Sequence, residues 1–137
     1  MRISRELYDQ MIAHARAEAP NECCGMIASR DGLAVEVFRA RNLHESPLRY
    51  EVHGDDLIRI LGEIDNRDLD LGIIYHSHTR SDPVPSQTDI NMARFGDAPR
   101  FPGTLYLIVG VKDGDDDLRT WSIVGDEVTQ VELEVTE

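Results

Sequence analysis

The stretch from Leu71 to Asp89 constrains the fold of this chain more than any other part of the sequence. It begins with a continuous apolar run, Leu71-Gly-Ile-Ile-Tyr75, of the kind found in strands that are buried on both faces of an α/β sheet. His76 and His78 follow directly. Because side chains alternate along a strand, these two imidazoles point to the same side. They also lie at a strand end, which is where open α/β sheets place their ligands.

The periodicity of the remaining chain predicts a single α/β domain over residues 1–137, with a mixed β-sheet flanked by helices. Pro20 ends the first helix, and Asp31-Gly32 is a turn signal between two strands. The last strand either completes the sheet or follows its edge. The predicted helices are 5–18, 54–66 and 86–95; the predicted strands are 21–29, 33–40, 48–52, 71–76, 104–111, 118–124 and 128–135, with an acidic turn at 113–117.

The charge and cysteine content narrow the classes of function. Asp and Glu number 26 against 14 Lys and Arg, so the formal net charge is -12, which argues against a nucleic-acid partner. No apolar run approaches the roughly 18 residues of a membrane-spanning helix, and the N-terminus lacks the apolar segment of a secretory signal. The only cysteines, Cys23 and Cys24, are adjacent and unsuited to a stapling disulfide. We therefore expect a cytoplasmic protein without a membrane partner.

Asp89 completes a candidate metal-binding set with the two histidines. His76, His78 and Asp89 are three N/O ligands of the kind that leave the fourth position of a tetrahedral zinc open. Simpler interpretations remain open, since a His-x-His pair also occurs on surfaces and in cores without a metal. Ser86 and Asp89 form a Ser-x-x-Asp helix-capping pattern, and that role is compatible with a catalytic one because a helix N-terminus favours negative charge.

Glu22 is the upstream carboxylate that best suits a role as proton acceptor at such a metal. Zinc lowers the pKa of bound water to about 7, and a nearby carboxylate can take the proton and return it to a leaving amine. Glu22 begins a predicted buried strand, where a carboxylate is costly unless it is paired or lies beside a cation. A solvated loop residue after Pro20 explains Glu22 equally well, so the residues alone leave both interpretations open.

The combination of Glu22, His76-Ser77-His78, Ser86 and Asp89 resembles the signature of the JAMM (JAB/MPN-type) metalloproteases. The gap from Thr79 to Pro85 has the length of the family's proline-containing loop. The order of predicted elements is similar to that family's fold over most of the chain. The resemblance implies a three-layer α/β domain related to that of the cytidine deaminases.

The resemblance also implies a role for each matching residue. One zinc ion per chain would be bound by two histidines and one aspartate, one glutamate would act as general acid/base on the zinc-bound water, and one serine would donate a hydrogen bond to the oxyanion. Carried over to this sequence, the zinc ligands are His76, His78 and Asp89, and the catalytic residues are Glu22 and Ser86.

Members of the JAMM family cut amide or isopeptide bonds after the Gly-Gly tail of ubiquitin-like proteins. The Tyr-His-Ser-His-Thr run at 75–79 and the paired cysteines most resemble the small bacterial subgroup that releases cysteine from a ubiquitin-like sulfur carrier in cysteine biosynthesis. We therefore favour that reaction. The alternative reaction is the removal of ubiquitin-like modifiers from proteins. The alternative from another functional class is a catalytically inactive MPN-type scaffold. The complete motif argues against the scaffold, because inactive members usually lose a ligand.

Other features of the sequence carry weaker expectations. A zinc deaminase would require His-x-Glu and a later Pro-Cys-x-x-Cys, and neither occurs in this sequence. Cys23 and Cys24 are interpreted as small apolar strand residues on opposite faces, with regulation of the zinc site by a thiolate as the alternative. Ser77 is predicted to point away from the metal, Arg49 and Tyr50 to line a substrate groove, His14, His44 and His53 to lie on the surface, and Met92, Phe95 and Trp121 to lie in the core.

Overall fold

A computed structural model describes residues 1–114 and 116–137 of the protein. The strands are β1 (Arg2–Ser4), β2 (Cys24–Arg30), β3 (Leu33–Ala40), β4 (Asp70–His78), β5 (Arg94–Phe95), β6 (Ala98–Pro99), β7 (Leu105–Gly110), β8 (Asp117–Val124), β9 (Glu127–Val131) and β10 (Glu134–Thr136), and the α-helices are α1 (Arg5–Glu18), α2 (Gly54–Asn66) and α3 (Gln87–Met92). Eight of the strands form one mixed sheet with the order β10-β1-β3-β2-β4-β7-β8-β9.

The two long helices cover opposite faces of the sheet and give three layers. Helix α1 is capped by the Ser4 side chain and buries Met11 and Ala15 against one face. Helix α2 buries Ile60 and Ile64 against the other face. Apolar residues that recur every three or four positions place one stripe of each helix on the sheet, and burial of this stripe drives the packing.

Strand β4 is the central element that carries the histidines. It pairs antiparallel with β2, so that Cys24 lies opposite His76, and parallel with β7, so that His76 lies beside Ile108. Buried residues from Gly72 to His78 confirm the prediction of a strand enclosed on both faces. Continued in register, the antiparallel pairing brings Glu22, two residues before β2, to the level of His78.

The sheet is curled, because its two outermost strands are consecutive in the chain. Strand β9 pairs with β8 at one edge, whereas β10 pairs in parallel with β1 at the opposite edge. Only Glu132 and Leu133 separate the two strands, and so few residues span roughly 10 Å at most. The predicted strand 128–135 is therefore two strands on opposite edges of a sheet that nearly closes on itself.

Several predicted elements differ from the structure. The predicted strand at 48–52 is wrong, since the segment makes only an isolated bridge between Val52 and Asn42. The third helix ends at Met92 rather than at 95. It is followed by a small hairpin of β5 and β6, each two residues long. Phe95 is 68% exposed, so its assignment to the core is wrong, whereas Trp121 is buried as expected. The predicted acidic turn at 113–117 includes Asp115, which lies outside the described residues.

Candidate metal centre

Three ligand-type atoms converge at the end of β4. The Nε2 atoms of His76 and His78 are 3.2 Å apart, and Oδ2 of Asp89 lies 3.1 Å from the first and 3.0 Å from the second. All three side chains are buried. Within the described chain, this trio is the cluster of His, Cys, Asp and Glu side chains that could hold a metal ion. The structure therefore brings together the three residues that were predicted as ligands.

The hydrogen bonds around His78 define which of its atoms can accept a metal. Its Nδ1 lies 2.8 Å from the carbonyl oxygen of Asp82, and because a carbonyl only accepts, Nδ1 carries the proton. In the neutral ring, Nε2 is then an acceptor, and it faces the carboxylate of Asp89 at 3.0 Å. A proton or a metal ion between these two acceptor atoms makes the contact favourable. Metal-binding histidines usually show this arrangement, with the second ring nitrogen donating to a carbonyl or carboxylate.

A capping box at the start of α3 fixes the position of Asp89. The side-chain oxygen of Ser86 accepts a hydrogen bond from the Asp89 N–H at 3.1 Å, and Oδ2 of Asp89 accepts one from the Ser86 N–H at 3.0 Å. Burial opposes ionisation of Asp89, but the neighbouring imidazoles and the Ser86 N–H outweigh it and lower the pKa of this carboxyl. The predicted helix cap is thus present, and it orients a carboxylate toward both histidines.

Glu22 lies at the same end of the sheet, with its side chain directed into the protein. It is only 6% exposed, and its Oε1 has no hydrogen-bond partner among the described residues. Burial raises the pKa of Glu22 to about 8; His78 opposes this shift and Asp89 adds to it. The interpretation of Glu22 as a solvated loop residue is therefore wrong, because the carboxyl is buried beside the ligand cluster.

The loop between β3 and α2 fixes the backbone of Glu22. The Glu22 N–H donates to the carbonyl of Ser46 at 2.8 Å, and the Glu22 carbonyl accepts from Nδ2 of Asn42 at 3.1 Å. The same Asn42 side chain donates to the carbonyl of Arg49 and accepts from the N–H groups of His44 and Glu51. The side-chain amide of Asn42 therefore links the backbone of Glu22 to the loop that carries Tyr50.

Sequence reasoning missed how Tyr50 acts in this site. Its ring is stacked on the imidazole of His76, with the centroids 4.1 Å apart and the planes inclined by 17°. The sequence predicts a strand at 48–52 with Tyr50 in a substrate groove, whereas the structure buries the Tyr50 ring against a metal-ligand candidate. The only signal in the sequence is that one of the alternating positions is aromatic.

The two cysteines, Ser77 and His14 occupy structural positions. Cys24 packs in the core on the α2 side and Cys23 in the core on the α1 side, and burial raises the pKa of the Cys23 thiol to about 12. Ser77 points away from the ligands and its Oγ accepts the Cys23 N–H at 2.8 Å. His14 is buried and hydrogen-bonded to the Tyr75 hydroxyl, so its assignment to the surface is wrong.

Comparison with known proteins identifies the family. Residues 4–124 match the profile of a family described as prokaryotic homologs of the JAB domain. The chain belongs to this family. The sequence is 30% identical over 138 residues to the CysO-cysteine peptidase of Mycobacterium tuberculosis, with 98% of this chain and 90% of that protein covered. It is 33% identical over 141 residues to the desampylase of Haloferax volcanii, with 97% and 94% covered.

Solved structures agree with this assignment at the level of the fold. A JAB1/MPN domain protein from Archaeoglobus fulgidus superposes with a TM-score of 0.64 at 22% identity, and the match covers 100% of both chains. The predicted family and the predicted α/β fold are both confirmed. Among the described residues, no helix is long and apolar enough to cross a membrane.

Proposed function

We propose that this protein is a zinc-dependent peptidase that hydrolyses the amide bond after the C-terminal Gly-Gly tail of a ubiquitin-like protein. The observation that carries the proposal is the convergence of three buried ligand atoms beside the buried, unpartnered carboxyl of Glu22. The enzyme class agrees with the names of the relatives, which are a peptidase and a desampylase. We assign residues 1–137 to one catalytic domain and the protein to the cytoplasm.

The geometry of the cluster fits zinc. Bonds of about 2.0–2.1 Å at tetrahedral angles place ligand atoms roughly 3.3–3.4 Å apart, close to the 3.0–3.2 Å between the atoms of His76, His78 and Asp89. Two neutral imidazoles and one carboxylate supply a single negative charge, which suits a dication with one position open. Zinc bound there would act as a Lewis acid and lower the pKa of water.

Glu22 supplies the proton transfers of the reaction. A general base works best when its pKa lies near the operating pH, and burial raises the pKa of this carboxyl in that direction. The Glu22 carboxylate takes a proton from the attacking water and returns it to the leaving nitrogen. Because Oε1 has no partner among the described residues, no existing hydrogen bond has to break before this transfer.

Ser86 stabilises the oxyanion that forms on the scissile carbonyl. A hydroxyl has one proton to donate and two lone pairs, and only a lone pair is used by the Asp89 N–H. The Ser86 proton is therefore available to the substrate oxygen while the capping bond stays intact. A fixed donor of this kind contributes more to the transition state than to the ground state.

The relatives support two conjugates as substrates. One relative is named for a CysO-cysteine bond and another as a desampylase, in agreement with the predicted action on ubiquitin-like sulfur-carrier conjugates. Release of cysteine from the C-terminal adduct of a sulfur carrier remains the first candidate reaction. Removal of such a protein from a lysine side chain is the second. An inactive scaffold does not explain a complete ligand set beside Glu22.

The test is cleavage of a ubiquitin-like sulfur carrier that bears a C-terminal cysteine. Zinc-loaded wild type is compared with Glu22→Ala and His76→Ala by mass spectrometry of the carrier, and the zinc content of each protein is measured. We expect wild type to release cysteine, Glu22→Ala to retain zinc without activity, and His76→Ala to lose both. Equal release by all three proteins would refute the assigned roles.

A further inference from the structure

The only tryptophan in the chain, Trp121 of β8, contacts the loop between β4 and α3. Its indole Nε1–H donates a buried hydrogen bond to the carbonyl of Pro83 at 3.0 Å. The two residues are 38 positions apart in the sequence, so this bond depends on the tertiary fold. Of residues 79–88, all of which the structure describes, Pro83 is the only buried one. The loop is therefore attached to the core at Pro83.

The Pro83 ring packs against bare backbone at the end of β7. A Cβ atom at Gly110 would lie 2.9 Å from Cδ of Pro83 and 3.2 Å from the backbone oxygen of Asp117. Contacts this short are too close for normal packing, so a side chain at position 110 would displace the loop. Pro83 is thus held on two sides, at its ring by Gly110 and at its carbonyl by Trp121.

The position of Pro83 determines the direction of the Asp82 carbonyl. The oxygen of Asp82 and the ring nitrogen of Pro83 belong to one planar peptide unit, and the proline ring restricts rotation about its own N–Cα bond. The same Asp82 oxygen lies 2.8 Å from Nδ1 of His78. This bond keeps the proton on Nδ1 and leaves Nε2 available to a metal. Two hydrogen bonds and one peptide unit therefore connect Trp121 to a ligand of the candidate metal centre.

The other contacts of Asp82 attach the loop to the sheet only weakly. The Val84 N–H also donates to the Asp82 oxygen, at 2.8 Å, but both groups belong to the loop and move together. The Asp82 side chain pairs with Nζ of Lys112 at 3.2 Å, and the two side chains are 69% and 44% exposed. An ion pair exposed to this degree contributes little. The direction of the Asp82 carbonyl therefore depends mainly on how Pro83 is held.

We propose that Trp121 is a positioning residue of the metal centre, which acts on His78 through Pro83 and the Asp82 carbonyl. Loss of the indole N–H takes the donor away from a buried carbonyl, and a buried acceptor without a donor is costly, so the loop moves toward water. Because the loop leads directly into the capping box that orients Asp89, its release loosens a second ligand as well. The inference rests on the proposed function, since it requires a metal held by these ligands.

Trp121→Phe tests the proposal, because phenylalanine keeps an aromatic ring in the core and lacks the N–H donor. Zinc affinity is measured by competition with a chromophoric chelator, and we expect it to fall roughly tenfold, the lower end of the loss on removal of an outer-sphere partner. Ile123→Val is the matched control. Ile123 lies two residues further along β8 in the same buried cluster, and its substitution removes buried volume without removing a hydrogen-bond donor. We expect this control to bind zinc like wild type.

A second measurement needs no variant. Coupling between two sites is reciprocal, so zinc binding at His78 must stabilise the hydrogen bond of the indole N–H. Because the chain has one tryptophan, this N–H gives a single indole signal in the NMR spectrum. We expect zinc to slow hydrogen exchange of the indole N–H more than exchange of the Ile123 backbone N–H, which reports the general stability of the same strand.

The inference is overturned if wild type and Trp121→Phe bind zinc equally well, or if Ile123→Val loses as much affinity as Trp121→Phe does. Equal slowing of exchange at the two N–H groups also overturns it, and this result decides the matter if Trp121→Phe does not fold. Failure of the proposed function has a different signature, in which wild type binds zinc but leaves the carrier-cysteine substrate intact. The zinc affinities then still decide the role of Trp121, whereas a wild type that takes up no zinc refutes both proposals.

Discussion

The phenol ring of Tyr50 lies flat against the imidazole of His76, with 4.1 Å between centroids and 17° between planes. This contact replaces the hydrogen bond that usually orients a metal-binding histidine. His78 has such a bond to the Asp82 carbonyl, whereas Nδ1 of His76 has no partner among the described residues. The orientation of the first ligand therefore depends on an aromatic neighbour rather than on a polar one.

Replacement of Tyr50 tests this dependence. We expect Tyr50→Leu to weaken zinc binding by roughly tenfold, the lower end of what loss of an outer-sphere partner costs, because the His76 ring gains freedom to rotate. Tyr50→Phe keeps the stacked ring and is expected to bind zinc like wild type. Affinity is measured by competition with a chromophoric chelator, and thermal unfolding of the metal-free proteins shows how much stability each change costs. Equal affinity of Tyr50→Leu and Tyr50→Phe would remove Tyr50 from the site.

The loop that carries Tyr50 shows why part of the site could not be predicted. Alternation of Leu48, Tyr50 and Val52 with polar residues is typical of a strand. In the structure, however, the Asn42 side chain takes up the backbone groups of Arg49 and Glu51 that a strand would pair. A side-chain amide that competes with a sheet ladder is a tertiary effect, and nothing in the local pattern reveals it.

Asn42 offers a test that keeps the shape of the side chain. Asn42→Asp retains both acceptor bonds but loses the two donors, one of which binds the Glu22 carbonyl at 3.1 Å. Two carbonyls then face a carboxylate, and the loop and Glu22 shift. We expect kcat to fall by roughly ten- to a hundredfold, as misplacement of a catalytic group does, with little change in KM. Steady-state kinetics with the carrier-cysteine substrate measures both constants. Asn66→Asp, on an exposed position of α2, is the control, and an equal loss there would contradict the prediction.

His14 makes the stability of the fold depend on pH. Burial, with a smaller contribution from Arg39, lowers the pKa of this histidine from 6.5 to about 4. Below pH 6.5 the unfolded chain therefore binds a proton that the folded protein rejects, and stability falls as the pH falls toward 4. Between pH 7 and pH 5 the loss from His14 is about 2 kcal/mol.

In wild type, Nδ1 of His14 lies 2.7 Å from the Tyr75 hydroxyl. The substitution His14→Gln keeps a polar group at this position, but the glutamine side chain cannot titrate. Denaturant unfolding at pH 7 and pH 5 measures the free energy of unfolding of both proteins in zinc-free buffer. We expect the decrease between the two pH values to be smaller in the variant by about 2 kcal/mol. His53→Gln is the control, because His53 is partly exposed at the start of α2. Identical decreases in wild type and His14→Gln would rule the mechanism out.

The sequence predicted the metal cluster far better than the shape of the sheet. Strand alternation places His76 and His78 on one side, and the Ser-x-x-Asp pattern places Asp89 at a helix start, so both are local rules. The buried position of His14 depends instead on its distant partner Tyr75 in β4, and the pairing of β1 with β10 depends on how the ends of the chain meet. A strand of three residues, Arg2–Ser4, has too short a pattern to be recognised without that partner.

Ser86 combines a helix cap with a proposed catalytic donor, and two substitutions separate these roles. Asp caps a helix about as well as Ser, but a carboxylate has no proton to donate. Ser86→Asp is therefore expected to unfold within about 1 kcal/mol of wild type, yet to lose at least a hundredfold in kcat, the cost of a lost oxyanion donor. Ser86→Thr keeps both the cap and the hydroxyl and retains activity. Zinc content is measured for each protein, because the added charge lies beside Asp89. If Ser86→Asp holds zinc and cleaves the carrier-cysteine substrate at the wild-type rate, Ser86 acts only as the cap of α3.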